Sequence, residues 1–137
     1  MDVRAVSEPA DRAVRAFLAA FARLRHDLPA AGVDNMAGLI RQTRMREIPR
    51  EGKLGNGVEY AVHGVGCRFT TATGVEIDVD IDIDDTPMFD AWRLSNFADS
   101  DPDLGEPSVA ELTAAAQRLM ATGELREVRP GWYTTVS

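Results

Sequence analysis

The residues best placed to do chemistry in this chain are carboxylates on one stretch, 75–84, VEIDVDIDID. Side chains alternate across a strand, so Glu76, Asp78, Asp80, Asp82 and Asp84 share one face and Val75, Ile77, Val79, Ile81 and Ile83 the other. Same-face neighbours lie roughly 7 Å apart, which makes a ridge of like charge running on into Asp85. Aspartate is a poor strand former, so the ridge costs stability unless something offsets the repulsion. Three roles are open to it. It can be a solvated outer face that also keeps an edge strand from aggregating, a docking face for a basic protein, or part of a divalent-cation site. Calcium or magnesium needs oxygen ligands converging from several elements. A straight strand spreads its carboxylates apart, so the cation role would need Asp85, Asp90 or His63 as well.

A second group holds His63 and Cys67, separated by Gly64-Val65-Gly66, with Asp90 and Arg93 further on. A cysteine beside a histidine can be a nucleophile with its base. Nothing in the sequence supplies an environment that ionises the thiol or a group that orients His63. Two ligands are also too few for structural zinc. The glycines of 52–57 and 64–66 lack the strand-to-helix setting and the Lys-Ser/Thr of phosphate loops, and read as turns. No catalytic residue, metal or cofactor is therefore assigned.

The elements that must carry these groups follow from hydrophobic period. Residues 8–28 read as an amphipathic helix through Val14, Phe17, Leu18, Phe21, Leu24 and Leu28, with Ser7 as N-cap and Pro29 and Gly32 closing it. A shorter helix is predicted from Asp34, carrying Met36, Leu39 and Ile40. Residues 51–57, EGKLGNG, read as a loop. The period then changes to two: 58–63, 67–71 and 75–84 read as strands joined by short turns, an antiparallel meander with its valines and isoleucines inward. Residues 87–98 read as a helix opening at Pro87, with Phe89, Trp92 and Phe97 in the core. Ser108 and Glu111 form a capping box for a helix that buries Val109, Leu112, Ala116, Leu119 and Met120, with Gly123 at its end. Residues 125–136 read as a hairpin turning at Pro130-Gly131. The expected fold is α+β, one domain over 1–137: an antiparallel sheet of a three-strand meander plus a C-terminal hairpin, packed with about four helices. The final helix and hairpin resemble the end of a winged helix, but 108–122 carries only Arg118 beside Glu111, too little charge for a recognition helix.

Charge narrows the partners. The net is −7, unevenly spread: residues 1–50 hold nine Arg against six acids, whereas 74–106 hold eleven acids and only Arg93. Such a surface repels nucleic acid and attracts a basic protein. With one cysteine, no internal disulfide can form. The N-terminal residues are polar and no apolar run reaches the length of a signal core or membrane span, so the cytoplasm is expected and no membrane partner. Fourteen of the 15 basic residues are arginine and alanine is abundant, as in bacteria with GC-rich genomes.

Residues 59–94 contain EYAVHGVGCRF, then VEIDVDIDID, then FDAWRL. This order resembles an uncharacterised bacterial family, a domain of unknown function with a His-Gly-x-Gly-Cys strand, an Asp-bearing strand and a Phe-Asp-x-Trp-Arg-Leu segment. The matching residues are His63, Gly64, Gly66, Cys67, Asp80, Phe89, Asp90, Trp92, Arg93 and Leu94. The resemblance implies a shared fold and a small cytosolic protein, in some members an immunity partner of a secreted toxin; it implies no activity. The unbroken acid alternation departs from that pattern. The expectation is an acidic cytosolic binding protein of immunity type, docking a basic partner such as a toxin through Glu76, Asp78, Asp80, Asp82, Asp84 and Asp85. The alternatives are a small enzyme using His63, Cys67 and nearby carboxylates, and a divalent-metal-binding domain.

Overall fold

Two hydrophobic periods divide the chain between helices and one main sheet. The computed structural model describes residues 3–136; Met1 and Asp2, part of the polar N-terminal segment, and Ser137 lie outside it. Helix α1 (Val3–Asp27) buries Ala10, Ala13, Val14, Phe17, Phe21 and Leu24 on one stripe. It starts earlier than its sequence signals suggest, so Ser7 falls within its span, with no glycine or proline in Val3–Val6 to stop it. Helix α2 (Met36–Arg44) opens where the Asn35 side chain accepts the Gly38 N–H at 2.7 Å, two residues after the predicted Asp34.

The main sheet is antiparallel throughout, with strands in sequence order: β1 (Glu51–Lys53), β2 (Glu59–His63), β3 (Gly66–Thr70), β4 (Glu76–Ile81) and β5 (Pro87–Met88). Segment 51–57 was expected to be all loop, yet its first three residues form β1. Gly52 pairs with Tyr60, and a Cβ there would meet the tyrosine ring at 3.2–3.4 Å. The glycine is what lets the ring lie across the edge strand.

The acidic strand also ends sooner than its alternation suggests. Asp82 N–H bonds to Thr86 O and Asp85 N–H to Asp82 O, both at 2.9 Å, with Asp85 at φ +68. This is a three-residue hairpin loop with its last residue in the left-handed region, a conformation aspartate tolerates. Ile83 therefore stands at the tip of a turn, 94% exposed, and is not inward.

The helix expected over 87–98 is split for a related reason. Pro87 lacks an N–H and sits acceptably on the short edge strand β5. Phe89 then exchanges two backbone hydrogen bonds with Tyr133, at 2.9 and 2.8 Å, and Asp90 caps α3 (Ala91–Asp99) by accepting the Arg93 N–H.

Helix α4 (Val109–Ala121) carries both bonds of the Ser108–Glu111 capping box. The hairpin β6 (Leu125–Arg129) and β7 (Trp132–Thr135) hangs from β5 through the Phe89–Tyr133 pair and a 2.7 Å bond from the Thr134 hydroxyl to Pro87 O. The architecture is α+β, as expected. Two cross-strand rows, Tyr60–Phe69–Ile77 and Val62–Cys67–Val79, line the covered side of the sheet, all of them buried. Around them pack Phe17, Phe21, Phe89 and Phe97, with the Phe17 ring 4.5 Å from Phe89 and 5.2 Å from Phe97. Among the described residues, no helix is long and apolar enough to cross a membrane.

Candidate functional site

The side of the sheet away from this core carries the acidic ridge. Register places Glu59–Thr70–Glu76, Ala61–Arg68–Asp78 and His63–Gly66–Asp80 in rows across β2, β3 and β4. A meander with short turns dictates that Arg68 stands opposite Asp78, and it forks onto both carboxylate oxygens at 2.8 and 3.2 Å. The same guanidinium lies 3.8 Å from Glu76.

Helix α3 lies along β4 and completes the ridge. The Ser100 hydroxyl beyond its end accepts the Glu76 N–H at 3.0 Å, and Asn96 reaches Asp78 at 3.5 Å. Arg93 bonds Asp80 at 2.8 Å and Asp90 at 3.1 Å, while the Trp132 ring covers it with the guanidinium carbon 4.6 Å from the ring centre. Gly66 makes room for this arrangement: a Cβ there would sit 2.7 Å from the Asp80 carboxylate. Asp82 is paired with Arg129 and Asp85 with Arg41, the latter at 3.3 Å. Asp84 points away into the turn, where the Thr86 side chain and N–H hold its carboxyl below the usual range.

The ridge is thus a set of acid–arginine pairs, with the arginines drawn from α2, β3, α3 and β6. That is how Glu76, Asp78, Asp80 and Asp82 can follow one another on one side of the sheet: repulsion between neighbours is offset by fixed cations. Most of these pairs are partly solvated, so each contributes at most about 1 kcal/mol. Asp80, Asp82 and Asp85 also meet at a cleft of about 700 Å³ at the end of β4, floored by Ile40, Ile81 and Met88.

The second group of candidate residues is divided. Cys67 pairs with Val62 and faces the core, 3% exposed, and burial pushes its thiol up to about 12. His63 pairs with Gly66 on the opposite side of the sheet and is exposed. The two side chains are not brought together, and the thiol is kept protonated, so a Cys–His nucleophile does not form here. Asp90 and Arg93, by contrast, are in contact with each other and with Asp80. Among the described residues, no three His, Cys, Asp or Glu side chains gather as a metal site.

Trp92 is the main correction. It was expected in the core, but Ala91, Leu94, Phe97 and Ala98 form the buried side of α3 and Trp92 stands 67% exposed. It lies one turn before Asn96, on the same side of the helix, and so flanks the ridge at Asp78. Arg41, Arg129 and Trp132 were missed. Their places depend on contacts across distant parts of the chain, and no local spacing announces them.

No curated protein and no solved structure matches the chain. A family described as a domain of unknown function, DUF6896, matches residues 10–134, nearly the whole fold above, and the chain belongs to that family.

Proposed function

We infer that this protein is a binding module whose partner, a basic protein, docks on the outer side of the sheet and the adjoining side of α3. The observation that supports this most is Trp92, a large aromatic held out to solvent on a helix whose Asn96 and Arg93 touch the ridge. Tryptophan is enriched among the residues that dominate protein interfaces, and it can also receive a partner's cation on its ring face. Asp99, about two turns further along α3, and Glu59 on β2, in the row that ends at Glu76, are exposed, and the chain carries a net charge of −7. Because Asp78, Asp80 and Asp82 already hold arginines, the long-range attraction comes from the net charge and these exposed acids. The ridge supplies a fixed polar floor. An immunity-type inhibitor that covers the cationic site of a toxin is the form this reading takes for a small acidic protein.

The test uses the tagged full chain as bait in lysate of its native host, against two variants. Trp92→Ala should keep the wild-type melting temperature, since the ring is exposed, and lose the captured basic protein. Glu59→Gln with Asp99→Asn should slow association and weaken its dependence on salt. If no basic protein is retained at low salt, or Trp92→Ala retains it equally well, the reading is wrong.

A further inference from the structure

We propose that the cleft between the C-terminal end of α2 and the end of β2 binds a small phosphate-bearing ligand. The cleft measures about 770 Å³ and is lined by Arg44, Arg46 and Arg50, with Ile48, Pro49 and Val62 as apolar wall. It shares no residue with the Trp92 surface.

The cations in it are uncommitted. Among the described residues, seven other arginines are held by carboxylates: Arg15 by Glu124, Arg23 by Asp27, Arg41 by Asp85, Arg68 by Asp78, Arg93 by Asp80, Arg118 by Asp11 and Arg129 by Asp82. Among the described residues, Arg44, Arg46 and Arg50 have no carboxylate partner; Arg44 reaches only the Gly64 carbonyl, at 3.4 Å. Arg12, Arg25 and Arg126 also lack a carboxylate among the described residues, but only Arg44, Arg46 and Arg50 converge on one cleft, which concentrates three guanidinium groups there.

The backbone adds an independent sign. Glu47 N–H bonds to Gln42 O at 2.9 Å and Arg46 N–H to Thr43 O at 3.2 Å, the two bonds of a Schellman turn closing α2. The residue at its left-handed position, φ +60, is Arg46, where glycine is normal. An arginine held in that conformation on the rim of a basic cleft places a guanidinium at a cost in backbone strain.

Two negative contributions oppose an anion here: Glu47, which lines the same cleft, and the roughly half charge at the C-terminal end of α2. Three full charges outweigh both. Guanidinium forks match phosphate oxygens bidentately. The volume lies within the range of small-ligand sites, and the apolar wall has room for an organic portion beyond the phosphate. A long nucleic acid is disfavoured, since the eleven acids of 74–106 would meet its backbone.

The experiment is titration of the full chain with inorganic pyrophosphate, against sodium chloride at equal ionic strength, read by calorimetry and by melting temperature. Pyrophosphate should raise the melting temperature where the salt control does not. Arg46→Gly relieves the left-handed strain, so it should melt higher than wild type without ligand yet bind pyrophosphate about tenfold more weakly, the loss of one charged contact. Arg44→Gln with Arg50→Gln should lose binding altogether. The proposal is overturned if pyrophosphate does no more than the salt control, or if these variants bind it as wild type does.

Discussion

Phe89→Ala is expected to lower the unfolding free energy by about 3–5 kcal/mol, the usual loss for a buried phenylalanine. Phe89 is fully buried, with its ring 4.5 Å from Phe17 and 5.6 Å from Phe21. It is also where β5 passes to the C-terminal hairpin, because its backbone pairs with Tyr133. A cavity there is bounded by α1, β5 and β7 at once, and none of the three can close it alone. Against a total stability of about 5–15 kcal/mol for a domain, the loss is a large fraction. Urea denaturation measures it, and a change below about 1 kcal/mol would show that Phe89 does not join the hairpin to the core.

Arg93→Met should cost about 2–3 kcal/mol. The side chain is one-quarter exposed and serves Asp80 and Asp90, which are 22% and 19% exposed. Breaking a fully buried pair costs about 3–5 kcal/mol because it strands a charge; partial solvation here reduces that. The guanidinium also lies against Trp132, and its Nε N–H meets no protein acceptor. Arg93→Lys keeps the charge but has no fork, so it should recover only part of the loss and remain about 1–2 kcal/mol below wild type. If both variants unfold within about 0.5 kcal/mol of wild type in urea, the Asp80–Arg93–Asp90 group does not hold α3 against β4.

These two positions show what could be read from the residues. Phe89 and Arg93 both stood out within FDAWRL, and the period-two runs gave β2, β3 and the inward rows directly. The turn lengths of the meander align Arg68 opposite Asp78 as well. Three features failed for identifiable reasons. Alternation alone carried the acidic strand past Ile81, although Asp-Asp-Thr-Pro is a sequence of turn formers. Proximity of Phe89 and Phe97 on a helix opening at Pro87 places Trp92 in the core, but α3 begins only at Ala91 and its buried stripe is set by Ala91, Leu94, Phe97 and Ala98. The strand at Glu51–Lys53 hid behind a glycine that is there to accommodate Tyr60. The pairing of the acids was illegible in a deeper sense, since Arg41 and Arg129 approach the ridge from distant segments.

Cys67 gives the protein a built-in clock. It is the single cysteine, sealed between sheet and helices, with burial raising its thiol to about 12. Thiol reagents attack the thiolate, so in the native state they should find almost none, and the labelling rate should report how often β3 parts from the core. The same burial sets an alkaline limit. A raised thiol pKa contributes its stability fully below the unfolded value and loses it as pH climbs toward the folded one. Between roughly pH 9 and about 12 stability should therefore fall by up to about 1.4 kcal/mol per pH unit from this group. Cys67→Ala should flatten that part of the pH profile, and a labelling rate equal to that of a free thiol at pH 8 would show that the seal does not exist.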